Sequence, residues 1–157
     1  MAVKNIHTQI ASEKTISEII RILAQFGAKK ILQDLDDNTN VIGISFVIEP
    51  APDMRIPIKL PMKVEKARAI IEAAVRERKL PKKFLKEPYR TDQAMRVGWR
   101  IIKDWVHSQL SLVLMNYAEP VEIFLPYVYD VKSDKTVFEQ MLEGRLKQMA
   151  LGHEEEK

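Results

Sequence analysis

The sequence predicts an α+β fold: a small, mainly antiparallel sheet of three to four strands, helices packed on one face, and one long central helix at about Thr91–Tyr117. Three observations predict it. Between residues 30 and 60, short alternating apolar runs are separated by turn formers, the signature of a strand meander. On either side of that region, apolar residues recur at spacings of three and four. The stretch after Thr91 keeps this helical spacing for about 27 residues, far beyond the length of a strand.

Taken in order, Lys4–Ile10 is a candidate first strand of poor alternation. A helix follows, with Ser12 or Thr15 as its cap and Thr15-x-x-Glu18 at capping-box spacing. Ile16, Ile19, Ile20 and Leu23 give it one apolar face, and Gly27 suits the left-handed position beyond its end. Lys30–Leu35, Val41–Ile48 and Arg55–Leu60 read as three strands of an antiparallel meander. Asp36-Asp37-Asn38-Thr39-Asn40 supplies the first turn. Pro57 cannot donate to a ladder, so the third strand belongs at a sheet edge.

Val64–Arg78 reads as a helix with Val64, Ala67, Ile70, Ile71, Ala74 and Val75 on one side. A connector, Lys79–Arg90, carries Pro81 and Pro88, after which Thr91 caps the long helix. Ala94, Val97, Ile101, Trp105 and Leu112 form its stripe, widened by Gly98, Ile102, Val106 and Leu110. Its second half is apolar nearly all round, which predicts cover on more than one side. Both Trp99 and Trp105 are read as core residues. Val121–Tyr129 is short and apolar, compatible with a helical turn or a strand. A last amphipathic helix spans about Lys135–Met149, presenting Phe138, Met141, Leu142, Leu146 and Met149. Residues 1–150 are thus expected to form one α+β domain, with 151–157 a flexible acidic tail.

Composition narrows the chemistry. Among the 157 residues, 46% are hydrophobic and 30% charged, which predicts a packed chain rather than a disordered one. The absence of cysteine removes disulfides, thiolate metal sites and a cysteine nucleophile together. The opening MAVKNIHTQIASEK holds no apolar run of signal-peptide length, so the expected location is the cytoplasm. The five glycines are scattered, leaving no phosphate-cradling loop. Asp104, His107 and the neighbouring Ser108 and Ser111 lie on one helix, where side chains splay outward instead of converging on a substrate. Asp34, Asp36, Asp37, Asn38 and Asn40 resemble calcium ligands, but Val41 stands where a calcium loop needs glycine and Val47 where it needs glutamate. The reading is therefore non-enzymatic, without metal or cofactor; a small hydrolase with an unrecognised carboxylate site is the minor alternative.

The net charge of +3 hides an uneven distribution. From Arg55 to Lys103 there are 15 Lys and Arg against 5 Asp and Glu, a local net of +10, while the remainder of the chain carries −7. Within this region Arg76, Arg78, Lys79, Lys82, Lys83, Lys86 and Arg90 lie on a helix end and a connector. Arg96, Arg100 and Lys103 continue along the long helix, and Tyr89 offers a stacking face. Such a density of cations can neutralise phosphates. The same residues are also compatible with a solvated surface that complements a helix dipole.

The run from Tyr89 to Val106 resembles a family of small uncharacterised proteins encoded in phages and prophages. The shared elements are Asp92-Gln93-Ala94, Trp99-Arg100 and Asp104-Trp105-Val106, followed by Phe124-Leu125-Pro126-Tyr127. Phe26-Gly27-Ala28-Lys29-Lys30-Ile31 and Leu60-Pro61 look similar too, so the resemblance covers most of the chain; the carboxy-terminal helix departs from it. The family has no assigned activity. The resemblance implies a phage-like setting, the host cytoplasm, where accessory proteins serve DNA replication, recombination or defence evasion, and it assigns no residue a role.

The expected function is a non-enzymatic accessory protein that contacts DNA or RNA phosphates through Arg76, Arg78, Lys79, Lys82, Lys83, Lys86, Tyr89, Arg90, Arg96 and Arg100. The alternative is a protein-binding module, an inhibitor or adaptor of a replication, recombination or defence protein. A homodimer joined through the uncharged Phe124–Tyr129 segment is also expected.

Overall fold

The computed structural model describes residues 2–145, 148 and 150. Helix α1, Ser12–Phe26, leads into strands β1, Lys29–Leu35, β2, Val41–Ala51, and β3, Met54–Pro61. These form one antiparallel sheet in the order β1-β2-β3. Helix α2, Val64–Arg76, a 3₁₀ turn at Lys82–Leu85 and the long α3, Tyr89–Leu114, follow. The chain then makes a short α4, Pro120–Phe124, and a 3₁₀ turn at Leu125–Tyr127. A two-residue hairpin pairs β4, Tyr129–Asp130, with β5, Lys135–Thr136, before α5, Val137–Gln140. The class is α+β, as the alternation and helical spacings predict.

The meander places Ile44, Phe46 and Ile48 of β2 beside Ile58 and Leu60 of β3 on one buried face. Helices α1, α3 and α4 cover that face with Ile16, Ile19, Leu23, Met95, Trp99, Val106, Leu110, Ile123 and Phe124. The opposite face carries the alternate residues Ser45, Val47 and Lys59. β3 lies at a sheet edge, where Pro57 loses no ladder bond; a single bridge from Ile58 to Val128 crosses that edge. Asp36 accepts backbone bonds from Asn38 and Asn40 at 2.9 and 2.8 Å, so its cluster of oxygens builds a hairpin turn.

Helix α3 is about 39 Å long at 1.5 Å per residue and is buried along two faces. Met95, Trp99, Val106 and Leu110 enter the sheet core, while Ala94 and Val97 pack with Ile71, Ala74, Val75 and Leu80 of α2 and its exit. Gly98 has a reason to lack a side chain, since a Cβ there would come within 2.0 Å of the Met62 methyl group. Of the predicted stripe, Ile101, Trp105 and Leu112 are only half-buried. Trp99, expected in the core but not on that stripe, is fully enclosed. α3 contacts the sheet on one side and α2 on another, so its fully buried residues do not follow a single stripe. The apolar end of α3 is not covered all round: Leu114, Met115 and Tyr117 are exposed.

Several boundaries differ from expectation for local reasons. Lys4–Ile10 is not a strand but a turn followed by irregular chain. Gln93, buried in α3, donates to the carbonyls of Ile6 and Thr8 at 3.0 and 3.1 Å, so the backbone partners of this segment come from a helix rather than a sheet. α1 starts at Ser12 without a side-chain cap, and neither Ser12 nor Thr15 caps it. Thr15 is buried, and Glu18 turns to Arg100 and Lys103 instead of closing a capping box. α3 begins at Tyr89 and not at Thr91, because Glu87 accepts the Thr91 amide at 3.2 Å and caps the helix from outside.

Helices α1, α2 and α3 end alike, each with a left-handed residue and a backbone bond reaching back five positions. Gly27 fills that place after α1, as its sequence position suggested, with φ +105°. Arg78 and Asn116 fill it after α2 and α3 at φ 59° and 57°, which ends α2 at Arg76 and α3 at Leu114, short of the expected Arg78 and Tyr117.

The expected open segment Phe124–Tyr129 is closed. Phe124 is fully buried, edge-on to Phe46 at 5.4 Å and to Trp105 at 6.1 Å between ring centroids. Tyr127 and Val128 pack on the same core, so of this segment Leu125 and Pro126 are exposed. The last helix begins at Val137, capped by Thr136, because Lys135 and Thr136 are taken by the hairpin. Met141–Arg145 widens to a π turn. Leu146, Met149 and the predicted acidic tail 151–157 lie outside the described residues.

The burial of Trp99 gives a direct test. Trp99→Ala should lower stability by about 3–5 kcal/mol through lost contacts and a residual cavity. Leu32→Ala, on an exposed strand position, should shift it by less than about 0.5 kcal/mol. Urea melts of the two variants measure both.

Candidate functional site

The cationic region divides by secondary structure into two parts with different fates. Arg96, Arg100 and Lys103 sit on the polar side of α3 that faces α1 and the amino-terminal segment. Glu18 of α1 accepts from Arg100 at 2.9 Å and from Lys103 at 3.0 Å, and these bonds hold its carboxyl below the usual range, the one from Lys103 most strongly. Arg96 donates to Gln93 at 3.3 Å. Asp104 accepts from Lys4 at 2.8 Å and Asn5 at 3.1 Å, so it holds the amino-terminal segment instead of pairing with His107. Ser111 donates to the His107 backbone carbonyl at 2.8 Å. This seam joins elements far apart in sequence.

A second network ties α2 to α3. Glu87 accepts from Arg68 and Arg90, each at 2.9 Å, while Arg90 also reaches Glu72 at 2.6 Å and Arg68 reaches Glu65 at 2.9 Å. Desolvation would raise the Glu87 pKa, but hydrogen bonds from Thr91 and Arg90 and the charge of Arg68 outweigh it and bring it from 4.5 to about 2. Arg90 is pushed further up by its bond to Glu87. Lys79 pairs with Glu77 at 2.7 Å on the surface.

What remains is a compact set. Leu80 is buried and Phe84 half-buried against α2, which pins the connector by its apolar residues and turns Lys82, Lys83 and Lys86 outward. Arg76 and Arg78 are exposed at the end of α2. Among the described residues none of these five cations has a carboxylate within ion-pair distance, although six carboxylate pairs or networks occupy the rest of the surface and the seam around them. Tyr89, at the start of α3, is 51% exposed, and Lys83 Nζ lies 6.0 Å from its ring centroid and 5.1 Å from that of Phe84.

Of the ten residues predicted from sequence, Arg76, Arg78, Lys82, Lys83, Lys86 and Tyr89 are all exposed along the stretch from the end of α2 to the start of α3. Lys79 is beside them but paired, Arg90 and Arg100 join α3 to α2 and α1, and Arg96 donates to Gln93 within α3. Sequence reasoning did not find Glu87, which caps α3 and binds two arginines; its only signal was its place immediately before Pro88.

An apolar groove of about 210 Å³ runs between Leu60, Pro61, Ile101, Ile102, Trp105 and Tyr127. Among the described residues no three His, Cys, Asp or Glu side chains gather as a metal site, and no helix is long and apolar enough to cross a membrane. The chain matches no family model, no curated protein and no solved structure.

The Glu87 network predicts an acid response. A carboxylate with a depressed pKa stabilises the folded state above its unfolded value, and that contribution is lost as pH falls through the folded value. The window here runs from 4.5 down to about 2. Thermal melts of the parent protein should lose stability across it, and Glu87→Gln should flatten that loss while already starting lower at neutral pH.

Proposed function

We propose that this protein binds nucleic acid through its phosphate backbone, without sequence preference, at the junction of α2 and α3. The binding residues are Arg76, Arg78, Lys82, Lys83 and Lys86. One observation carries the reading: among the described residues Glu72 and Glu87 are bound to Arg68 and Arg90 and Glu77 to Lys79, leaving Asp92 as the unpaired acid of this region, while five exposed cations gathered along the same stretch have no carboxylate within ion-pair distance. Unpaired, exposed cations on a pinned connector release condensed counterions when they meet phosphates. Tyr89 lies within the same patch. Together with the resemblance to phage and prophage proteins, the role is that of a non-enzymatic accessory factor acting on DNA or RNA in the host cytoplasm.

The affinity should fall steeply with salt. The slope of log affinity against log salt should be about −0.9 per duplex phosphate contacted, or about −0.7 on a single strand. Replacing Lys82, Lys83 and Lys86 together by Glu should abolish most binding and leave the melt unchanged, since exposed charges add little to stability. Lys14, Arg21 and Lys132 are exposed and unpaired among the described residues but lie on other elements, and their replacement by Glu should reduce affinity far less. Mobility shifts across a salt series compare the two sets. Equal losses would mean that net charge alone is sensed, and a protein partner would then replace nucleic acid as the reading.

A further inference from the structure

We propose that the nucleic acid held at this junction is single-stranded and that Tyr89 stacks against one of its bases. This rests on the phosphate-binding reading of Arg76, Arg78, Lys82, Lys83 and Lys86.

Tyr89 is a large ring left 51% exposed at the first position of α3, next to cations without carboxylate partners. The backbone beneath it is fixed on both sides. The Thr91 amide is bound to Glu87, the Arg90 amide to the Lys86 carbonyl, and the Arg90 guanidinium to Glu72 and Glu87. The ring therefore projects from a pinned helix start, with only its own two side-chain torsions left to order on binding. Lys83 Nζ stands 6.0 Å from the ring centroid, at the outer limit of a cation–π contact. A lysine so placed can bind the phosphate that joins a stacked nucleotide to its neighbour.

Single strands fit this arrangement better than duplexes. In a duplex the base faces are already stacked on one another, so an aromatic ring beside the phosphates has no face to meet. In a single strand each base has a free π face, and stacking on an aromatic side chain strengthens binding by about 5- to 100-fold per base without requiring any particular base. Cations on the connector would follow the backbone while the ring takes a base.

The decisive comparison uses three ligands of equal length, about 12 nucleotides, within the range a small domain can cover. They are an oligothymidine, an abasic deoxyribose-phosphate strand of the same charge, and a duplex. The full chain should bind the oligothymidine about tenfold more tightly than the abasic strand. Tyr89→Ala should remove that preference and Tyr89→Phe should keep it, with affinity for the abasic strand the same in all three proteins. Equal affinity of the parent protein for thymidine and abasic strands would overturn the proposal. So would a preference that survives Tyr89→Ala, or tighter binding to the duplex. In each of those cases salt-sensitive binding leaves the phosphate reading in place. If none of the ligands binds in a salt-sensitive way, the phosphate reading fails and this proposal falls with it.

Discussion

Helix α3 has to satisfy two apolar surfaces and one polar seam at once, and the positions of the other elements follow from that. Its Met95, Trp99, Val106 and Leu110 complete the sheet core, and its Ala94 and Val97 complete the smaller core under α2. Burying a side chain as large as Trp99 on one face contributes on the order of a few kcal/mol. No single neighbour could cover a helix that is apolar on two sides, so the sheet with α1 and the α2 connector must both pack on it. Between these faces Gln93, Arg100, Lys103 and Asp104 point to α1 and the amino-terminal segment, where each finds a hydrogen-bond partner. The third surface converts α3 from a rod on a sheet into the axis of the molecule.

The same constraint sorts the charges. Three arginines that face another element of the fold are held by carboxylates from other parts of the chain: Arg100 by Glu18, Arg90 by Glu72, Arg68 by Glu87. Arg76, Arg78, Lys82, Lys83 and Lys86, at the end of α2 and on the turn that follows, have no carboxylate within ion-pair distance among the described residues, and they share that state with cations on other elements such as Lys14, Arg21 and Lys132. A surface potential is set by what lies nearby in space, so a cluster of five cations without a carboxylate in ion-pair contact matters more for an anionic partner than the +10 counted along the sequence. The pinning of the connector by Leu80 and Phe84 adds a second property, because cations on a fixed backbone lose less freedom on binding than cations on a loose one.

The residues of the Tyr89–Val106 run and of Phe124–Tyr127 have structural tasks in this fold. Gln93 and Asp104 hold the amino-terminal segment, Ala94, Trp99 and Val106 fill the two cores, and Phe124 and Tyr127 pack their rings with Trp105. Gly27 closes α1 in a left-handed conformation. Together these residues pack a long helix on a meander, and the exposed cations of the connector lie outside them.

Local pattern was enough to read the meander, α1, α2 and α3, because strand alternation and helical spacing report which side of an element is buried. Pro57 at an edge and Gly27 beyond a helix were legible for the same reason, since each is dictated by the residue's own backbone. The basic stretch and its location on a connector were legible as well. Tertiary structure decided the rest. Lys4–Ile10 is irregular because Gln93, more than 80 positions away, takes its carbonyls. Phe124 is enclosed because Phe46 and Trp105 come to it from two other elements. Arg90 and Arg100 are engaged while Lys82 and Lys86 stay open, although all four look alike in sequence. Whether a charge is compensated depends on which carboxylate lies within a few ångströms in space, and spacing along the chain carries no record of that distance.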